Sequence, residues 1–134
     1  MIGVDIKGSI LQEYFYKKKY DPVFKTYKIE GIGQDYIPKT LDFNYVDEVI
    51  IADDRESFLA ARRMTREEGI FVGGSSGTAI HAGLEFCKTL PEDTIVVILL
   101  PDSGSRYVSK MYNDVWMREN GFLKPERITL KYIL

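Results

Sequence analysis

What this chain has little of narrows its function first. It holds one cysteine and one histidine in 134 residues. A lone thiol, Cys87, rules out an internal disulfide and any metal cluster built on cysteines. Its helical spacing from Ile80 and Leu84 makes Cys87 read as a buried core thiol rather than a nucleophile. His81 lies in a helical pattern without a partner at ligand spacing, which argues against a zinc site or a histidine-based triad. A formal net charge of -2 leaves no broad basic face, so nucleic acid is not an expected partner. No apolar run approaches the length of a membrane span, and nothing resembles a signal peptide. The expectation is a cytosolic protein with no metal and no membrane contact. Its length suits one domain with a single core.

What the chain does have is an alternation of short apolar runs and amphipathic stretches. Met1 to Asp5 reads as a strand that starts abruptly, as though a central strand were cut by the beginning of the chain. Gly8 and Ser9 open a turn. From Ile10 to Tyr20, Tyr14, Phe15, Tyr16 and Tyr20 are interleaved with lysines, a pattern that can stack on bases. Without a wider basic patch, a loop or short helix that packs its rings on the domain is the favoured reading. Tyr27 to Glu30 can be a short strand leading into Gly31-Ile32-Gly33, and Val46 to Ala52 fits a strand of a mostly buried sheet. Asp53 and Asp54 supply capping chemistry for a helix from about Arg55 to Glu68, which Gly69 ends. A second helix is expected from about Gly77 to Leu90. Thr94 to Leu100, seven residues without a charge, reads as a fully buried parallel strand. Short helical patterns follow at 107–111 and 113–119, and one late strand is expected at 128–133. This order predicts an α/β three-layer sandwich with a largely parallel sheet.

The stretch from Glu67 to Ile80 organises the rest. A short strand, a Gly-Gly hinge and the start of a helix succeed one another at Gly69-Ile70-Phe71-Val72-Gly73-Gly74-Ser75-Ser76-Gly77. The first turn of a helix has N–H groups without intrahelical partners and a partial positive charge, and glycines let a ligand approach the backbone. Ser75 and Ser76 add hydroxyls to that surface. An equally open reading makes one of them a plain N-cap. Ligands of open parallel sheets sit beyond the carboxyl ends of the strands, which places the loop from Asp102 to Arg106 on the same edge as Ser75.

Three motifs in this order carry a family resemblance: Gly31-Ile32-Gly33-Gln34-Asp35-Tyr36-Ile37-Pro38, then Glu68-Gly69 through Gly73-Gly74-Ser75-Ser76-Gly77, then Leu100-Pro101-Asp102-Ser103-Gly104-Ser105-Arg106-Tyr107. The set resembles the C-terminal half of the catalytic core of the pyridoxal-phosphate β-family, the fold type II enzymes that include cysteine synthase and cystathionine β-synthase. The opening Gly3-Val4-Asp5 with Gly8-Ser9 is similar to the segment that precedes these motifs there. Resemblance covers about residues 2–123. Asp35-Tyr36 and the run from Lys110 to Met117 with Gly121-Phe122-Leu123 look more like cystathionine β-synthase than cysteine synthase.

The resemblance implies that 1–134 is a single partial domain, a piece of the family's large domain with 124–134 as a tail. It implies pyridoxal phosphate as cofactor of the complete enzyme. The reaction implied is β-replacement through an aminoacrylate, on serine or an O-activated serine, with a thiol or sulfide as second substrate. Ser75 would donate its hydroxyl to the pyridine nitrogen, Gly31 and Gly33 would leave room beside the ring, and Asp102 with Ser103 would shape the loop at its nitrogen edge. The family's Schiff-base lysine, ring-hydroxyl asparagine and phosphate cup have no counterpart here, and no lysine of the chain stands in the context that the nucleophile needs. The resemblance thus implies no catalytic residue in the chain, small amino-acid substrates only for the complete enzyme, and association of like copies. A non-catalytic binding or interaction protein that keeps the fold is the alternative.

Overall fold

The computed structural model of the protein describes residues 1–21 and 25–125. Strand β1 (Ile2–Ile6) pairs in parallel with β2 (Glu48–Ala52), with Ile2 opposite Glu48 and Ile6 opposite Ala52. A parallel pair needs a long crossover. Helix α1 (Leu11–Lys17) and the single-turn 3-10 helix Phe43–Tyr45 lie on it. The aromatic run at α1 packs its rings on the domain: Tyr14 and Phe15 lie 5.7 and 5.6 Å from Phe43, and the Lys18 ammonium sits over Phe15 and Phe43. The Asp5 carboxylate, 1% exposed, accepts the Gln12 N–H of the first turn of α1 at 3.0 Å. An anion is favoured there by the orphan donors of a helix start.

Helix α2 (Asp54–Glu68) begins where the paired aspartates predict. Asp53 is its N-cap and accepts from the N–H groups of Arg55 and Glu56 at 3.0 and 3.2 Å. Asp54 instead reaches back, accepting from Lys28 N–H at 2.7 Å and Ile29 N–H at 3.0 Å. Gly69, at φ +71°, ends the helix in the left-handed conformation that glycine adopts without a Cβ penalty. Helix α3 (Gly74–Cys87) packs against α2 at very short range. A Cβ on Gly77 would stand 2.1 Å from the Ser57 carbonyl oxygen and 2.8 Å from the Ala61 Cβ. A 3-10 turn at Gly104–Tyr107 and the short helix α4 (Asp114–Glu119), capped by Asn113, complete the order. The core forms around Ile6, Phe58, Val72, Ile80, Met111 and Met117.

Several expectations are corrected. Residues 94–100 form no strand: among the described residues their backbone pairs with no other strand, and Ile95, Val97 and Leu99 are 90%, 90% and 82% exposed. The apolar run is there, but its neighbours in a sheet are not. Tyr27 to Glu30 is likewise not a strand, because the Asp54 carboxylate takes up the N–H groups of Lys28 and Ile29 that a ladder would use. Cys87 is exposed rather than buried, and Leu84 is 47% exposed. Packing by α2 falls on the first half of α3, where Gly77 and Ile80 are buried, so the last turns extend past it. The strand expected at 128–133 lies outside the described residues.

Candidate functional site

Backbone hydrogen bonds place the organising stretch beside the loop after Leu100. Gly73 N–H donates to the Asp102 carbonyl at 3.0 Å, Gly104 N–H donates to the Phe71 carbonyl at 3.1 Å, and Val72 and Ser103 form an isolated antiparallel bridge. The Ser76 hydroxyl donates to the same Asp102 carbonyl at 3.3 Å. Tyr112 pins the arrangement from behind, its hydroxyl donating to the Val72 carbonyl at 2.6 Å. These contacts fix where α3 starts and which way its first turn points.

Neither serine caps α3. Gly73 is the N-cap and provides no side chain for the purpose. Gly73 must be glycine for another reason: a Cβ there would lie 1.9 Å from Asp102 Oδ1. Ser76 is fully buried and spent on the Asp102 carbonyl. Ser75 is 6% exposed, and its hydroxyl makes no hydrogen bond among the described residues. It lines a cleft of about 520 Å³. Gly31, at φ +81°, stands beside it, and a Cβ on Gly31 would come 3.8 Å from Ser75 Oγ. The cleft's walls are otherwise apolar, with Ile2 and Val4 of β1, Ala79 and Phe86 of α3, and Pro101. No charged side chain of the described residues lines it. The polarity of this surface therefore comes from one free hydroxyl and the positive end of a 14-residue helix.

The four residues singled out in the sequence do not converge on one point. Gly31 and Ser75 adjoin each other in the lining of the cleft. Gly33, at φ +78°, sits against the end of β1, where a Cβ would come within 2.6 Å of Ile6 Cγ2 and of the Tyr27 hydroxyl. Asp102 lies behind the Gly73 hinge with its carboxylate turned toward Tyr107, whose hydroxyl donates to Oδ2 at 2.7 Å. Its Oδ1 is buried without a partner among the described residues. That hydrogen bond to a carboxylate, aided by burial, pushes the Tyr107 hydroxyl up to about 12. Sequence reasoning quoted Tyr107 in its motif without giving it a role. The signal was its place five residues after Asp102 across a glycine turn, close enough to fold back on the carboxylate.

An apolar cleft at a glycine-flanked helix start is the kind of place where α/β folds with parallel strands bind small ligands. The chain belongs to the family described as pyridoxal-phosphate dependent enzyme, whose sequence profile matches residues 1–102. It is 45% identical over 126 residues to a cystathionine beta-synthase of Dictyostelium discoideum and 43% identical over 125 residues to one of Apis mellifera. These matches take in 94% and 93% of this chain but 25% and 24% of those proteins, so the chain spans about a quarter of the length of the curated relatives it matches. Among solved structures, O-ureido-L-serine synthase superposes with a TM-score of 0.73 at 25% identity, covering 85% of this chain and 34% of that one. A mutant of the same enzyme bound to O-ureido-L-serine gives 0.69 at 24% identity, covering 93% and 35%. The α/β fold with a parallel sheet is that of the fold type II pyridoxal-phosphate enzymes, and the cofactor of the complete enzyme in this family is pyridoxal phosphate.

Proposed function

We propose that residues 1–134 are a single partial domain of a cystathionine β-synthase-like enzyme and form the ring-nitrogen side of its pyridoxal-phosphate site. One observation carries this reading: the Ser75 hydroxyl, almost buried and without a hydrogen-bond partner among the described residues, faces an uncharged cleft beside a glycine. The hydroxyl oxygen is open to the cleft and available to donate a hydrogen bond to a ligand atom, and the absence of a side chain at Gly31 leaves a planar ring room to lie there. These features fit the cofactor.

Pyridoxal phosphate supplies, when bound, the electron sink that lets a leaving group depart from the β-carbon of an amino acid. The chain's part is to set how strong that sink is. A neutral hydroxyl donating at the positive end of α3 favours an unprotonated ring nitrogen, whereas a carboxylate there would favour the protonated one. Ser76 and Asp102 hold the helix start, and the cleft walls beside it are apolar. The reaction that suits a moderated sink is β-replacement on serine or an O-activated serine by a thiol or sulfide. No lysine lines the cleft. Covalent attachment of the cofactor needs a desolvated amine held against it, so residues 1–134 alone do not turn over substrate.

The test is a chimera in which this chain replaces the matched 126 residues of the Dictyostelium protein. The chimera is expected to join serine to a thiol, and Ser75→Ala in it to lower kcat/KM about tenfold, the cost of one lost hydrogen bond. Ser75→Asp should change the visible absorption of the bound cofactor. A folded, cofactor-loaded chimera whose turnover ignores Ser75→Ala would sink the proposal. A folded chimera that never turns over would favour the non-catalytic interaction protein instead.

A further inference from the structure

A second cavity, of about 320 Å³, shares a loop with the Ser75 cleft. Gly31 and Ile32 line the cleft, while Gln34 and Asp35 line the cavity together with Gly8, Lys25, Thr26 and Tyr27. Glycines let its three segments approach each other closely. Lys25 N–H donates to the Gly8 carbonyl at 3.3 Å, and a Cβ on Gly8, at φ +114°, would stand 2.3 Å from the Lys25 carbonyl oxygen. The Tyr27 ring is held between two glycines, since a Cβ on Gly8 would meet its Cδ1 at 3.1 Å and one on Gly33 its hydroxyl at 2.6 Å. The Gln34 backbone is tied down as well: its N–H donates to the Ser9 hydroxyl and its carbonyl accepts the Ile10 N–H, both at 3.0 Å.

The side chains on this fixed frame are unspent. Among the described residues, the Lys25 ammonium, the Thr26 and Tyr27 hydroxyls, the Gln34 side-chain amide and the Asp35 carboxylate make no hydrogen bond or ion pair. Lys25 and Asp35 bring opposite charges to one cavity without joining them. A simple anion or cation would satisfy one of the two and be repelled by the other. A small molecule that carries both charges satisfies both. The end at Tyr27 is the negative one. Burial raises the Tyr27 phenol above its ordinary value, and the charges of Asp5, Asp35 and Asp54 raise it further. Asp5 is 1% exposed, with Oδ1 unpartnered among the described residues, so its charge is little screened by solvent. Of the residues that line the cavity, Lys25 alone is cationic.

We propose that this cavity is a binding site for a free α-amino acid in its zwitterionic form, separate from the Ser75 cleft. The ammonium group lies toward Asp35 and the Tyr27 hydroxyl, and the carboxylate toward Lys25 and the Thr26 hydroxyl. Charge-assisted hydrogen bonds at both ends set the orientation. The volume is at the small end of the range for ligand pockets, which suits an amino acid with a short side chain. The inference does not rest on the cofactor reading: occupancy of this cavity is read from binding to the chain without cofactor, whereas the role of Ser75 is read from turnover.

The experiment titrates L-alanine, L-serine and L-cysteine into the isotope-labelled chain and follows its amide signals. At millimolar concentration at least one of them should shift the signals of Gly8, Thr26 and Asp35 in a saturable way and leave those of Ser75 and Ala79 in place. The tightest of the three identifies the side chain that the cavity takes. Ethylamine and propionate, which each keep one of the two charges of alanine, should bind at least tenfold more weakly than alanine does; ethanolamine and 3-hydroxypropionate serve the same purpose for serine. Lys25→Gln and Asp35→Asn should each weaken the amino acid at least tenfold, the usual worth of a hydrogen bond to a charged group. Both side chains are exposed and without partners among the described residues, so circular dichroism should not change. The proposal is overturned if none of the three amino acids shifts these signals, or if the analogues with a single charge bind as tightly. It is overturned as well if both variants bind like the parent, or if the shifts gather at Ser75 and Ala79 instead.

Discussion

At the residue scale, the hinge before α3 depends on a side chain that contributes nothing to the cleft wall. Tyr107 holds Asp102 Oδ2, and the Asp102 carbonyl holds both Gly73 and Ser76. Replacing Tyr107 by Phe leaves a largely buried carboxylate without its donor, and denaturant unfolding should show a loss of about 2 kcal/mol, the usual worth of a hydrogen bond to a charged acceptor. The pH dependence has a definite sign. The phenol is raised to about 12 in the folded protein, so the native state holds this proton more tightly than the unfolded chain does. The stabilisation is whole below the ordinary phenol value near 10 and is lost as pH rises through about 12. Unfolding measured from pH 9 upward should show that alkaline decline in the parent and a flatter one in Tyr107→Phe. A decline identical in both would mean that another group titrates.

At the element scale, the α2–α3 contact sets the position of the cleft floor. Its closest point is Gly77, which brings the α3 backbone against the Ser57 carbonyl oxygen. Alanine in an exposed helix position would be better than glycine by about 1 kcal/mol. Here the added methyl would meet backbone at 2.1 Å, which no side-chain rotation relieves. The clash wins, and Gly77→Ala should lower stability by about 2 kcal/mol through overpacking. Calorimetry showing a rise in Tm would show that the two helices slide apart without cost. The same helix shows why a periodicity can mislead. Ile80, Leu84 and Cys87 share a face in sequence, but α2 covers only the first half of that face. The start of α2, by contrast, was legible to within one residue, because capping by Asp53 is a local contact between groups two and three positions apart.

At the scale of the whole molecule, the segment 95–100 dominates the behaviour in solution. Ile95, Val97 and Leu99 present a row of nearly free aliphatic side chains, an exposure that soluble proteins seldom leave on a contiguous surface. The chain should bind an apolar dye and self-associate with rising concentration. Changing Ile95, Val97 and Leu99 together to Thr should remove most of the dye signal while altering stability by no more than about 0.5 kcal/mol, since these side chains pack on nothing. Dye binding that survives the triple change would place the apolar surface on the other walls of the cleft, at Ile2, Val4 and Phe86.

The sequence by itself determined what short-range physics decides: the strands at both ends of the crossover, the cap of α2, the glycine that ends it, the hinge-helix order at Ser75, and the set of ordered motifs that marks the family; the short buried strand expected before the hinge is only an isolated bridge at Val72, with Ile70 and Phe71 exposed. It also determined that 94–100 is apolar enough to be buried in a sheet. Only the tertiary structure decided whether a neighbour exists to bury it, because pairing depends on edges distant in the chain and not on the run's own composition. In the same way only the fold separated the two serines. Both stand at the start of one helix, yet the approach of the Asp102 carbonyl binds one hydroxyl and leaves the other facing the cleft.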